Sequence, residues 1–462
     1  MIDLKAILAP DRGQPAHAIH IVDAGGHDDW LRQQPPRHRA ALLAHRFKPV
    51  PGAFAILPGE AAEAWSAVVA VKDAGALTPW CLARAAEALP EGVYPLDGHE
   101  PGDTMLGWAL AHYRFDRYRK EEASGVRTLL TGDPARVEPV LREAAATMRV
   151  RDLVNTGAGD LGPAELEAAV AEVGGAHGAR LTVTKGADLE RGYPMIHTVG
   201  AAATKERAPR LIELDWGRDD DPRVAIVGKG VCFDTGGLDL KPSAAMRLMK
   251  KDMGGAAHAL ALAEIVMAAR LPVRLHLLIP AVENAVSGAA FRPGDVLGTR
   301  KGLTVENTNT DAEGRLILCD ALTRAVEERP DLILDYATLT GAARVALGPD
   351  LPPLFANDEG LAADLLAAGE RTGDPLWRMP LWDGYDDMLK SDIADMVNAP
   401  EGGFAGAITA ALFLRRFVPA TTPWAHLDVF AWRPSTKPGR PKGGDAYGLR
   451  AAWAMLQARY GA

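Results

Sequence analysis

The stretch VGKGVCFDTGGLDLKP, residues 227–242, places one carboxylate between two amines. The acid is Asp234, which Thr-Gly follows, and the amines belong to Lys229 and Lys241. An aspartate in a glycine-rich turn can exchange protons when it shares one with a second carboxylate. It can also bind a cation when further oxygen ligands lie close to it. The remainder of the chain distinguishes between these two kinds of chemistry.

Proton sharing between two aspartates, as in the aspartic proteases, requires a second Asp-Thr-Gly or Asp-Ser-Gly turn. The 462 residues contain only the one at Asp234. Half-enzymes that dimerise to complete such a pair are far shorter chains. The sequence therefore argues against an aspartic protease.

A second glycine-rich stretch, GAGDLG at residues 157–162, matches the GxGxxG pattern of dinucleotide-binding proteins. That fingerprint requires a buried strand directly before it. Residues 149–156, RVRDLVNT, are too polar for a central parallel strand, and Pro163 follows the last glycine at once. We predict a turn that begins a helix at Pro163 and no nucleotide site.

Further acids lie in NTNTDAEGRLILCDAL, residues 307–322, where Asp311, Glu313 and Arg315 follow one another at every second position. In an extended segment this spacing projects all three side chains to one face. Buried acids on one face require a neutralising cation. By itself, a solvated charged strand explains the spacing equally well.

Asp252 is the fourth candidate acid. The pattern AAMRLMKKDMGGAAHALALAEIVMAARLP, residues 244–272, predicts one long helix with Asp252 in its middle, beside small residues that permit close backbone approach. Together with Asp234, Asp311 and Glu313, it could form a cluster of four carboxylates. Without histidine, such a cluster suits hard divalent cations, although zinc also accepts carboxylates.

The elements that would position these residues alternate between strands and helices. Beyond residue 150 we predict strands at ARLTVTKG, RLIELDW, RVAIVGKGV, VRLHLLIPAVE, DLILDYATL and WAHLDVFAW, separated by helical patterns. This alternation predicts an α/β domain with a mixed, largely parallel central sheet. Ligand sites in such sheets gather at the carboxyl ends of strands, where Asp234 falls. Residues 1–130 give a weaker α/β pattern.

Composition excludes several classes of protein. A net charge of −9 gives no indication of nucleic-acid binding, and the basic run from Arg433 to Gly444 is rich in Pro and Gly, as in a solvated loop. Three cysteines form no disulfide framework. No secretory signal is visible at the amino terminus, and no uncharged apolar run approaches the ~20 residues of a membrane span. We expect a cytoplasmic protein without membrane contact.

Taken together, these segments resemble the leucyl aminopeptidase (cytosol aminopeptidase) family of two-metal exopeptidases. The motifs that carry the resemblance are RDLVNT, GKGVCFDTGGLDLKPS, MKKDMGGAA, FRPGDVL, NTDAEGRLILCDAL, YATLTGA, SDIADMVN, GAITAALFL and WAHLD. The octapeptide NTDAEGRL, Asn309–Leu316, matches the family signature. By implication, residues 1–145 form a smaller N-terminal α/β domain and residues 150–462 the dinuclear-metal catalytic domain.

The resemblance also implies a role for each matching residue. The metal ligands would be Lys229, Asp234, Asp252, Asp311 and Glu313. Asp234 and Glu313 would bridge two divalent ions, Mn²⁺ or Zn²⁺, with Mg²⁺ as an option at the more exchangeable site. Lys241 and Arg315 would be the catalytic side chains. The backbone carbonyl of Leu339 would help to hold the catalytic anion and the substrate.

The implied reaction removes the N-terminal residue from peptides that have a free amino group. A metal-bridging hydroxide would attack the carbonyl, with Lys241 as electrophile and a bicarbonate on Arg315 as general base. The resemblance further implies a homohexamer. The alternative is a non-catalytic scaffold or binding protein of the same fold, against which the intact ligand set argues.

This chain departs from the family after HLD, where Val-Phe-Ala-Trp replaces Ile-Ala-Gly. Aligned without a gap, Phe430 takes the place of an alanine in the pocket for the first side chain, so the pocket should favour small residues. With a two-residue deletion, FAW would instead align with a later Thr-Ala-Trp and leave the pocket open. The sequence alone leaves both alignments open.

Overall fold

A computed structural model of the chain describes residues 3–61, 63–119 and 125–461. The chain divides into two compact units. The first comprises residues 1–148 and 435–442, and the second comprises residues 149–434 and 443–462. Most of the basic Pro/Gly-rich run thus belongs to the first unit, although it lies almost 300 residues further along the chain.

The described residues of the first unit form two small sheets. Its elements are β1 (Leu8–Pro10), β2 (Ile19–Val22), α1 (His27–Gln33), α2 (Pro36–Ala44), β3 (Phe54–Pro58), β4 (Trp65–Ala70), α3 (Ala83–Ala88), β5 (Gly92–Tyr94), β6 (Leu96–Asp97), α4 (Thr104–Leu110) and β7 (Arg127–Thr131). One sheet has the parallel order β1-β7-β5, and the other has the mixed order β3-β4-β2-β6. The rings of Trp108 and Tyr94 are fully buried in the core of this unit.

The second unit carries the larger sheet. Helix α5 (Val137–Asn155) contains the division between the units. The elements that follow are α6 (Pro163–His177), β8 (Arg180–Lys185), α7 (Gly186–Gly192), α8 (Pro194–Gly200), β9 (Arg210–Trp216), β10 (Arg223–Gly228), β11 (Gly230–Asp234), α9 (Ser243–Met246), α10 (Gly254–Ala268), β12 (Arg274–Asn284), β13 (Val296–Gly298), β14 (Thr304–Glu306), α11 (Glu313–Glu327), β15 (Leu332–Ala337), α12 (Gly341–Leu347), β16 (Pro353–Ala356), α13 (Glu359–Thr372), β17 (Trp377–Arg378), β18 (Met396–Val397), α14 (Gly406–Arg415), β19 (Trp424–Asp428), β20 (Trp432–Arg433), β21 (Gly443–Gly444) and α15 (Leu449–Tyr460).

In the described residues, the central sheet has nine strands, of which eight follow the order β17-β16-β19-β15-β10-β12-β9-β8 and β11 pairs with β12. The four middle strands β19, β15, β10 and β12 are parallel, whereas β16 and β9 beside them are antiparallel. The middle strands are buried along almost their whole length, as expected when helices cover both faces. The predicted two-part α/β fold with a mixed, largely parallel central sheet is confirmed.

The predicted glycine-rich turn at residues 157–162 is also confirmed, and α6 begins at Pro163. Gly162 N donates to Glu165 Oε2 at 2.9 Å, which caps the helix, so these glycines start a helix after another helix and not after a strand.

The single long helix predicted for residues 244–272 is wrong. The segment forms the short helix α9, a 3₁₀ turn at Met249–Met253, and then α10. Asp252 therefore lies in the turn before α10 and not in the middle of a helix. Helix α10 is almost entirely buried, and none of the described helices is both long and apolar enough to cross a bilayer.

Candidate metal centre

The candidate centre begins where β10 gives way to β11. Strand β12 pairs with β10 along its first half and with β11 along its second, so Lys229 lies at the break between the two shorter strands. Its backbone is fixed on both sides, because Lys229 N donates to Tyr336 O at 2.9 Å and Lys229 O accepts from Ala256 N at 2.8 Å. Asp234 ends β11. Both side chains thus lie at the carboxyl end of the sheet, as predicted.

Three buried carboxylates meet at this edge. Asp234, Asp252 and Glu313 each offer an oxygen, and the three oxygens lie within 4.8 Å of one another. Lys229 Nζ lies 2.7 Å from Asp252 Oδ2 and 2.9 Å from Glu313 Oε1. The fold thereby gathers four of the five predicted ligands into one buried cluster.

Asp311, the fifth predicted ligand, reaches the cluster through Lys241. Lys241 Nζ lies 2.9 Å from Asp234 Oδ2 and also contacts Asp311 Oδ1. The Asp311 side chain is one third exposed, whereas those of Asp234 and Glu313 are almost completely buried. The structure therefore places Asp311 and Lys241 together at the accessible side of the cluster.

Glycines let the backbone approach this closely. A Cβ on Gly314 would come within 2.7 Å of Lys229 Nζ, and a Cβ on Gly255 would lie 2.2 Å from Tyr336 O. Gly236 adopts a φ of +88°, in the left-handed region that favours glycine, and a Cβ there would lie 3.0 Å from Asp311 Oδ1. A side chain at any of these positions would push a candidate ligand or its supporting strand out of place.

The electrostatics of the cluster show an excess of negative charge. Burial, with repulsion from Asp234, raises the pKa of Glu313 to about 8 and that of Asp311 to about 6. Burial alone would lower the pKa of Lys229, but attraction from Asp252, Glu313 and Asp234 outweighs it and raises that pKa. Lys229 and Lys241, with Lys251 at 3.9 Å from Asp252 Oδ1, thus leave the carboxylates incompletely neutralised.

The donor atoms fit a divalent cation. Glu313 Oε2 is buried and accepts no hydrogen bond. The neighbouring Asn284 Oδ1 is also buried and accepts none. A buried anionic oxygen without a partner is costly unless a cation lies beside it. All the acidic donors are hard oxygen atoms, which suit Mg²⁺ or Mn²⁺ and are also accepted by zinc.

The extended spacing predicted for Asp311, Glu313 and Arg315 is wrong. Helix α11 begins at Glu313, so Glu313 and Arg315 lie in its first turn and Asp311 lies in the turn before it. Residues two apart on a helix diverge. Glu313 accordingly faces Lys229, whereas Arg315 Nη1 donates to Asn398 O at 2.6 Å.

Arg315 has unused hydrogen-bonding capacity. Its Nε is buried and donates no hydrogen bond, and burial lowers the pKa of its guanidinium to about 10. A buried guanidinium with a free N–H favours a small anion with carboxylate geometry. The predicted bicarbonate has that geometry, so the residues present are compatible with it.

Sequence reasoning missed the residues that hold these side chains in position. Asn284 Nδ2 donates to Asp234 Oδ1 at 2.8 Å, and Thr338 Oγ1 donates to Asp252 Oδ1 at 2.8 Å. Asp428 Oδ1 accepts from the backbone N–H of Leu339 at 3.1 Å, which fixes the peptide beside the predicted Leu339 carbonyl. Each of these residues lies at the carboxyl end of a strand: Asn284 ends β12, Thr338 directly follows β15, and Asp428 ends β19. That position in the predicted strands was the signal by which the sequence could have identified them.

Comparison with known proteins gives the same family as the motifs. Residues 148–452 match the model of the cytosol aminopeptidase family, catalytic domain, and residues 18–131 match that of the M17 aminopeptidase N-terminal domain. A protein of Syntrophotalea carbinolica named "Probable cytosol aminopeptidase" is 42% identical over 369 residues, which cover 76% of this chain and 73% of the relative.

Solved structures agree with these matches. The crystal structure of the cytosol aminopeptidase from Coxiella burnetii is 44% identical, with a TM-score of 0.93, and the match covers 98% of this chain and 99% of that one. The bottromycin maturation enzyme BotP in complex with Mn is 34% identical, with a TM-score of 0.86, and the match covers 96% and 100% of the two chains. The chain therefore belongs to the cytosol aminopeptidase family of metal-dependent hydrolases.

Proposed function

We propose that this protein removes the first residue from peptides with a free N-terminus. The observation that carries the proposal is the buried group of Asp234, Asp252 and Glu313 with its uncompensated negative charge. Lys229 and Asp311 complete the ligand set, which would hold two divalent ions, Mn²⁺ or Zn²⁺. As a ligand, Lys229 would be a neutral amine, so it would lose the proton that the carboxylates otherwise stabilise.

Bound in this way, the two ions would supply a water molecule of lowered pKa and would polarise the peptide carbonyl. The residues around them determine how a substrate is oriented. Asp252 lies in the buried interior of the cluster, whereas Asp311 and Lys241 lie at its accessible side. A peptide would therefore approach from the side of Asp311 and Lys241.

Lys241 would act as the electrophile. Its side chain is 13% exposed, and attraction to Asp234, Glu313 and Asp311 outweighs burial and raises its pKa, so it remains an ammonium at neutral pH. A fixed ammonium beside the carbonyl stabilises the oxyanion as negative charge develops. Its backbone is held for this role, since Lys241 N donates to Thr235 O at 2.9 Å.

Arg315 would hold the general base. Asn398 O accepts from Nη1 and leaves Nε free, so the guanidinium is oriented by one neighbour and retains a donor for bicarbonate. Asn398 is itself fixed, since its Oδ1 accepts from Thr308 N at 2.8 Å and its Nδ2 donates to Asn307 Oδ1 at 2.8 Å. Arg315 would thus hold a bicarbonate, which would supply the general base.

The test compares a free aminoacyl-peptide with its N-acetylated form under added Mn²⁺ or Zn²⁺. We expect cleavage of the free peptide, loss of that cleavage with chelator, and an inert acetylated peptide, because an acylated nitrogen is a poor metal ligand. Equal cleavage of both forms would overturn the exopeptidase mechanism. Absence of hydrolysis from any free peptide in either metal would favour the non-catalytic scaffold instead.

We also propose a homohexamer acting in the cytoplasm on peptide substrates. The names of the relatives support the location, and the motif resemblance supports the assembly. Six subunits of 49.1 kDa predict a particle near 295 kDa in light scattering. A monomer at micromolar concentration would contradict this prediction.

Phe430 should restrict the pocket for the first side chain. Ala431, the next residue, packs against Gly254. A Cβ added to Gly254 would lie 2.4 Å from Ala431 Cβ and 3.1 Å from Thr338 Cγ2. This neighbourhood supports the alignment without a gap, in which Phe430 narrows the pocket. We expect Phe430→Ala to raise the ratio of kcat/KM for leucyl over alanyl substrates by about tenfold or more. A wild-type preference for leucine that the substitution leaves unchanged would contradict this.

A further inference from the structure

Lys251 is a buried cation that lacks an anionic partner of its own. Its side chain is 8% exposed, and its one ion pair within the described part of the chain is with Asp252. The nearest carboxylate oxygen is Asp252 Oδ1, at 3.9 Å. An ammonium removed from water to this degree is unfavourable unless an anion compensates it.

Asp252 is already engaged by other groups. Its Oδ2 lies 2.7 Å from Lys229 Nζ, and its Oδ1 accepts from Thr338 Oγ1 at 2.8 Å. In the proposed function this carboxylate is also a metal ligand. It therefore leaves Lys251 without full compensation.

A second buried cation, Arg344, lies near Lys251. The Arg344 side chain is 14% exposed, and its Nε and Nη1 are buried and donate no hydrogen bond. Its Nη2 contacts Asp428, 3.3 Å from Oδ1, but that carboxylate also accepts from Leu339 N and from Thr340 Oγ1. One shared carboxylate thus faces this guanidinium.

The ring of Phe430 joins the two cations. Lys251 Nζ lies 5.2 Å and Arg344 Cζ lies 5.9 Å from its centroid. A cation–π contact replaces only part of the lost hydration of a buried charge. Among the described residues these two cations share one half-buried ring, and neither has a carboxylate to itself, so the site is complementary to an anion.

We propose that Lys251, assisted by Arg344, binds the side-chain carboxylate of an acidic first residue, aspartate or glutamate. The inference rests on the proposed function, in which the substrate's amino group lies at the metal cluster. Lys251 directly precedes Asp252, and its Nζ lies 3.9 Å from that carboxylate. A short side chain on the residue held at the cluster can therefore span the distance to Lys251. The wall formed by Phe430 would still exclude long branched side chains.

The first experiment measures kcat/KM for aminoacyl-amides of glutamate, glutamine, alanine and leucine. Glutamine is nearly isosteric with glutamate, so the glutamate-to-glutamine ratio isolates the charge. We expect Lys251→Met to lower this ratio by about 10- to 100-fold, the range for a charge-assisted hydrogen bond. Arg344→Gln should lower the same ratio by a smaller factor.

Lys250→Met is the matched control. Lys250 lies on the same 3₁₀ turn, but its Nζ donates to Asn155 O at 2.5 Å and contacts the ring of Trp432. The control removes the same charge one residue away, so it should leave the glutamate-to-glutamine ratio unchanged. An equal loss in both lysine variants would show a general electrostatic effect and would overturn the assignment.

A second readout is independent of turnover. Calorimetry with the dipeptides Glu-Ala and Gln-Ala on the metal-loaded protein, at a temperature where turnover is slow, should show tighter binding of Glu-Ala that Lys251→Met abolishes. Equal binding of the two dipeptides to the wild-type protein would overturn the inference even if neutral substrates are cleaved. If no substrate is cleaved but Glu-Ala binds through Lys251, the proposed function fails and the anion site stands.

Discussion

Replacement of Lys241 by alanine should reduce kcat by about 10²- to 10³-fold or more while the metal content stays near two ions per subunit. The reason is that Lys241 would contribute an oxyanion partner and not a metal ligand, and loss of one preorganised partner typically costs this much. Its ammonium lies 2.9 Å from Asp234 and contacts Asp311, so its removal also frees two carboxylates for metal binding. Steady-state kinetics and elemental analysis of the same preparation provide the measurement.

Lys250→Ala is the control for this variant, because it makes the same substitution at a lysine that faces Asn155 and Trp432. It should retain both metal and activity. Loss of metal from Lys241→Ala would contradict its assignment as an electrophile, and unchanged kcat would exclude it from the reaction.

Asp234→Ala should instead lose bound metal, and with it essentially all activity. Asp234 would bridge both ions, so one substitution removes a ligand from each. The carboxylate is rigidly held, since its Oδ1 accepts from Gly236 N at 2.9 Å and from Asn284 Nδ2 at 2.8 Å. Dialysis against metal-free buffer followed by elemental analysis measures the loss.

A carboxylate outside the cluster provides the comparison. Asp295 Oδ2 accepts from Arg292 N at 2.8 Å in a surface turn, so Asp295→Ala removes a comparable charge without touching the candidate centre. Thermal unfolding separates loss of metal from loss of fold, and both variants should melt cooperatively. Full metal occupancy in Asp234→Ala would show that Asp234 is not a bridging ligand.

The sequence by itself determined the order of elements in the second unit and the location of its site. Apolar, β-branched runs such as RVAIV predict buried strands. The glycine-rich segment that follows RVAIV places Lys229 and Asp234 at the carboxyl ends of the strands. Periodicity and turn residues act over a few neighbouring positions, so local sequence determines them.

Only the tertiary structure decided how the acids meet. The 3₁₀ turn before α10 leads into Gly254 and Gly255, which lie close to Ala431 and Tyr336, residues distant in sequence. The start of α11 at Glu313 likewise depends on distant residues. Glu313 pairs with Lys229, whereas Arg315 in the same turn donates to Asn398. The incompletely compensated charge of Lys251 is visible only once Phe430 and Arg344 are packed around it. Such contacts depend on strand pairing across about 80 to 180 residues, which no local pattern encodes.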